Sequence, residues 1–94
     1  MEVLKKPFYD KTKKISYEMI DEQIICTYNG KTDVFDFAGL PDGEADVSKI
    51  ETILDMQPIL SAVKEKGRLR VEVINFYGDD AGWEETDPLW IQVS

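Results

Sequence analysis

The sequence predicts an α+β fold: a mainly antiparallel β-sheet of four to five strands, built as a meander plus a hairpin, with one short α-helix packed on one face. Three observations carry that expectation. Apolar and polar residues alternate with period two around Ile15–Met19, Gln23–Tyr28, Thr32–Phe37 and Leu69–Val73, as strands with one wet face require. Asn29-Gly30 separates two of these runs, and a two-residue hairpin turn needs φ > 0 at both positions, which Asn tolerates and Gly adopts freely. Val47, Ile50, Ile53 and Leu54 then fall on a single stripe at helical spacing.

Taken in order, residues 1–13 show no clear period and Pro7 interrupts them, so an irregular, lysine-rich lead-in is expected. Three antiparallel strands follow, broken at Asp21-Glu22 and at Asn29-Gly30. Ala38–Glu44 holds Gly39, Pro41 and Asp42-Gly43 and reads as loop and tight turn. The helix is placed at Val47–Met56, with either Asp46 or the Ser48/Glu51 pair as its cap and Pro58 as its stop. Ile59–Glu65 and Arg68–Phe76 form a second hairpin across Lys66-Gly67. Within it Ile74 and Phe76 break the parity of Leu69, Val71 and Val73, which implies either a strand end buried on both faces or a bulge. Tyr77–Pro88 is loop, and Leu89–Val93 is a candidate edge strand. Phe35, Phe37, Ile50, Leu54, Leu69, Val71 and Val73 are the expected core.

Ninety-four residues make one domain, 1–94, and such a chain hides only about 60–65% of the surface its unfolded form exposes. Most large apolar side chains are therefore committed to packing. Eleven lysines and arginines stand against 19 acids, a net charge of −8, which repels nucleic acid and anionic lipid alike. The split is uneven, because residues 1–14 carry +3 and the remaining 80 carry −11. Neither a secretory segment nor an apolar run long enough to span a membrane is found, so a cytosolic product made without export is expected.

The chemistry available is narrow. The chain has no histidine, which removes histidine-based triads, histidine-ligated metals and the usual neutral-pH proton shuttle. Its single cysteine, Cys26, lies in a strand-like run and reads as a small buried hydrophobe, incapable of an internal disulfide or a cysteine-cluster zinc site. The acidic segments Asp42–Asp46 and Asp79–Asp87 lack the spacing of a calcium loop, and there is no phosphate-binding glycine motif. No enzyme activity, cofactor or metal is expected. Trp83 and Trp90 remain as candidates for recognition, with loop or core anchoring as the alternative use of each. The contact surface expected is the acidic loop around Trp83, with Asp79, Asp80, Glu84 and Glu85, or else a free sheet edge.

Asp33-Val34-Phe35-Asp36-Phe37, running through Ala38-Gly39 into Pro41-Asp42-Gly43, resembles a group of small proteins encoded in phages and prophages of Gram-positive bacteria. The likeness resumes at Ile50-Glu51 and at Gln57–Ala62, continues through Glu65–Phe76, and ends with Asp80-Ala81, Glu84-Glu85, Pro88 and Trp90. It covers roughly the C-terminal two-thirds. The group brings no catalytic or ligand residues with it. Its genes tend to sit among tail and tail-fibre genes, so the resemblance implies a virion-associated or assembly accessory that works by contact with a phage structural or assembly protein. Self-association through an edge strand is a further expectation. An acidic inhibitor of a host DNA-binding protein, its carboxylates imitating phosphates, is the competing one.

Overall fold

A computed structural model describes residues 1–79 and 88–93. Strands make up 55% of these residues, in two sheets, and no helix of seven or more residues occurs among them. The fold is therefore mostly β, and the expected α+β architecture, a helix on a single sheet of four to five strands, is corrected: the described residues form eight strands in a five-stranded and a three-stranded sheet. Strands β2 (Ile15–Ile20), β3 (Gln23–Tyr28) and β4 (Lys31–Asp36) form the antiparallel meander, with both turns at the expected positions. Asn29, at φ 53°, and Gly30, at φ 79°, adopt the conformation that the hairpin demands.

The second sheet holds β1 (Glu2–Tyr9), β5 (Gly43–Glu44), β6 (Ile59–Glu65), β7 (Arg68–Tyr77) and β8 (Ile91–Gln92) in the order β5-β6-β7-β1-β8. Here the irregular lead-in is corrected. Glu2–Tyr9 is an interior strand paired in parallel with β7 from Glu2–Arg70 to Tyr9–Tyr77. Pro7 is accommodated by parity. Met1 exchanges bonds with Val93 on the β8 side, whereas Asp10 N–H donates to the Tyr77 carbonyl on the β7 side. Odd residues of β1 thus turn their backbone away from β7, and the missing N–H of Pro7 costs no bond in that ladder.

At Val47–Met56 only a single 3₁₀ turn, Val47–Lys49, forms. Asp46 caps it through the Ser48 N–H at 3.1 Å, and Ile50 is already extended at φ −80°, ψ 114°. Side chains have captured the groups that a helix would pair. Gln57 donates to the Ile50 carbonyl, Asp33 accepts from Ile53 N–H, and the Thr52 hydroxyl accepts from Leu54 N–H. Val47, Ile50, Thr52 and Ile53 are also β-branched and resist helix. The stripe is only partly inward. Val47, Ile50 and Leu54 pack on the core, while Ile53 stands 66% exposed.

The two sheets share one core. Val3, Ile59, Ala62, Leu69, Val71 and Val73 of the larger sheet meet Ile24, Cys26 and Phe35 of the meander, with Phe37 and Leu54 closing the open side. Of the expected core residues only Ile50 is half-buried. β7 itself keeps its parity, since its register with β1 is unbroken from Arg70 to Tyr77, and the strand end is half-buried on both faces. A register shift between Ile59 and Ser61 places a bulge in β6, opposite Val73 and Glu72. Beyond it Ile74–Tyr77 are half-buried, with the Phe76 ring centred 6.2 Å from that of Tyr28.

Candidate interaction surface

The acidic loop between β7 and β8 falls largely outside the described residues, and with it Asp80, Trp83, Glu84 and Glu85. Asp79 is described. It accepts a hydrogen bond from the Tyr9 hydroxyl and lies 3.9 Å from the Lys11 ammonium, at the end of β7. That carboxylate, more than the slight burial of the ring, holds the Tyr9 phenol above its ordinary range. Tyr9 in turn meets Tyr77 edge-on, with ring centroids 5.5 Å apart.

On the far side of the loop, Trp90 is not a core residue. It is 36% exposed on the outer face of the larger sheet, where the Arg70 guanidinium stacks 4.2 Å from its ring centroid. Arg70 also reaches Glu2 at 3.7 Å, so the neighbouring strands β7 and β1 hold the cation in place under the indole. Around them Ser61, Val63, Arg68 and Glu72 line a shallow depression of about 790 Å³. Leu89 and Ile91 flank Trp90 and are exposed, as are Phe8 and Tyr9 on β1. Five of the eight large exposed hydrophobic side chains among the described residues thus lie on β1, β8 or the residues leading into β8. Phe8, Tyr9, Arg70 and Leu89 are functional candidates that sequence reasoning missed. The only available signal was the placement of Leu89–Val93 as an edge strand.

Elsewhere the reactive groups are enclosed. Cys26 is fully buried on the inner face of β3, and that burial pushes its thiol up from 9.0 to about 11. Tyr17, whose hydroxyl donates to the Ile74 carbonyl, is raised as well, first by burial and then by Cys26. A thiol whose folded-state pKa is raised stabilises the fold fully below pH 9.0, and this contribution drains away as pH climbs to about 11. Two pH units correspond to at most about 3 kcal/mol. Urea titrations from pH 8 to 11 should therefore show an alkaline loss of stability that is shallower in Cys26→Ala. A native thiol that alkylates at neutral pH as fast as the denatured one would show that Cys26 is open to solvent. Among the described residues no three acids or cysteines gather as a metal site. No family model matches the chain, and no curated protein or solved structure matches it.

Proposed function

We propose that the protein is a phage- or prophage-encoded accessory, associated with the tail or virion or with its assembly, that works by binding a phage structural or assembly protein. The observation that carries the contact reading is Trp90, exposed on the outer face of the larger sheet and stacked on Arg70, with Leu89 and Ile91 exposed on either side of it along the chain. Three consecutive large apolar side chains, Leu89, Trp90 and Ile91, are thus exposed at the β8 edge, where a partner would cover them. Trp90 over Arg70 joins two of the side-chain types that dominate binding energy, and Glu2 already orients the arginine. The phage setting rests on the resemblance described above. The phosphate-mimic reading needs a uniformly acidic face, whereas Lys66, Arg68 and Arg70 are interspersed with Glu65 and Glu72 on this one.

The experiment is mass spectrometry of purified virions after prophage induction, with affinity capture from the same lysate. Wild type should enter the virion or recover a structural or assembly protein. The double variant Leu89→Ser, Trp90→Ser should lose that partner by tenfold or more, since hot-spot truncations cost about 2 kcal/mol or more. Recovery of no phage protein by wild type, or equal recovery by the variant, would remove the basis of the reading.

A further inference from the structure

The second exposed apolar region lies at the opposite edge of the other sheet. Strand β4 ends the meander, and its backbone parity can be worked out from one bond. Phe37 N–H donates to the Glu22 carbonyl at 2.9 Å, which makes residues 22 and 37 a hydrogen-bonded pair of the antiparallel ladder. Counting back by twos, Phe35, Asp33 and Lys31 spend their backbone groups on β3. Thr32, Val34 and Asp36 therefore turn theirs outward. Of these, Val34 N–H is held locally by the Asp33 carboxylate at 2.8 Å, and the remaining carbonyls and N–H groups of the three face away from the sheet.

Alongside this edge runs a groove of about 390 Å³, floored by Phe35, Phe37, Leu40, Ala45 and Ile50. Side-chain bonds hold its outer wall in place. The Asp33 carboxylate takes Thr52 Oγ1 at 2.7 Å and Ile53 N–H at 3.1 Å, while Asp55 takes Asn29 and Lys31. The Asp33 and Asp55 carboxyls are both held below the usual range by these donors. On the rim stand Asp36, Asp46 and Glu51 against Lys49, and none of the four is in an ion pair among the described residues. Val34 and Ile53 are exposed at 52% and 66%.

We infer that β4 is a docking edge for an extended segment of a partner protein, which adds a fourth strand to the meander, drops alternate apolar side chains into the groove, and carries lysine or arginine at its ends. An edge of outward backbone groups beside an apolar trough is what strand addition uses: main-chain bonds supply affinity and the trough reads alternate side chains. The rim selects the sign of the flanks. Three acids, Asp36, Asp46 and Glu51, stand against Lys49 along this rim, so a second copy of this chain would bring like charge to the edge, whereas a basic peptide complements it. This inference rests on the protein-contact reading, but it uses a different face from Trp90.

The probe is a pooled peptide of eight residues, two lysines, then X-Thr-X-Thr-X, then lysine, with X drawn from Val, Ile, Leu and Phe, titrated into the full-length ¹⁵N-labelled protein. Amide shifts should concentrate on residues 32–36 and 45–51. Methylating the backbone nitrogens that face β4 should weaken binding by about tenfold or more, because the main-chain bonds carry the affinity. Exchanging the lysines for glutamate should weaken it comparably at low salt and much less at high salt, where exposed charges are screened beyond about 8–10 Å. Val34→Lys, a charge that natural edge strands carry without unfolding, should abolish the shifts, whereas Trp90→Ala should leave them unchanged. No binding at millimolar peptide, shifts mapping elsewhere, or indifference to N-methylation would overturn the proposal. The Trp90 surface would still stand or fall by its own experiment.

Discussion

Replacing Val3 by aspartate should unfold the protein at neutral pH. Val3 is fully buried, paired with Val71 on one side and Ile91 on the other, in the strand that joins β7 to β8. An unpaired carboxylate there costs several kcal/mol, against a total of roughly 5–14 kcal/mol for a domain of this size. The neighbouring Lys6 is exposed, so Lys6→Asp should shift stability by less than about 1 kcal/mol. The contrast tests the fold, because a disordered lead-in would tolerate both changes. A pH series adds a second check. The carboxyl introduced by Val3→Asp would be buried and its pKa raised, so its penalty relative to wild type should shrink as pH falls toward about 4, where it is protonated. Urea unfolding at neutral pH and near the carboxylate range measures both effects, and a Val3→Asp protein with wild-type midpoints would contradict a central β1.

Local pairing was legible and distant pairing was not. The meander and the Lys66-Gly67 hairpin are joined by short turns, so alternation and turn chemistry are present in neighbouring residues. Strand β1 finds β7 in parallel across most of the chain, with no turn to announce it. Its own alternation is obscured by Lys5, Lys6 and Pro7, which it tolerates because among the described residues β8 pairs only with Glu2 and Val3. The false helix has the opposite cause. Val47, Ile50 and Leu54 do share an inward direction, but an extended segment draped over the gap between two sheets can meet that spacing too. What decided against helix was Asp33, Thr52 and Gln57 taking its backbone groups, and Asp33 lies on a different strand.

An aromatic beside charge drew attention to Trp83 and its acids, and that stretch lies outside the described residues except for Asp79. Core anchoring would enclose Trp90, yet it stands on the outer face, because the parallel pairing of β1 puts Glu2 beside Arg70 and so builds the cation under the indole. Nothing in the sequence near Trp90 could reveal a distant arginine on a strand that is not its neighbour. Asp33–Phe37 was legible as a strand but not as the side of a groove, because the opposite wall comes from a segment expected to be helical.

Truncating Phe37 to alanine should lower stability by about 3–5 kcal/mol and the melting temperature by on the order of 12–40 °C. Phe37 is 5% exposed at the point where β4 leaves the sheet, and its N–H still bonds to Glu22, so its ring is fixed from the backbone outward. The surrounding cluster draws on both sheets and on Leu54 of the connecting segment, and each is tied by its own ladder or side-chain bonds. Such walls relax little into a cavity, which puts the cost toward the upper part of the range. Phe35→Ala, 4% exposed one pleat away, should behave alike, while Ile53→Ala on the exposed side should stay within about 0.5 kcal/mol. The two phenylalanines share one cluster, so the double variant should lose less than the sum of the single losses, provided that it folds at all. Differential scanning calorimetry of these variants beside wild type decides the matter: equal melting points for Phe37→Ala and wild type would mean that the meander does not close over this core.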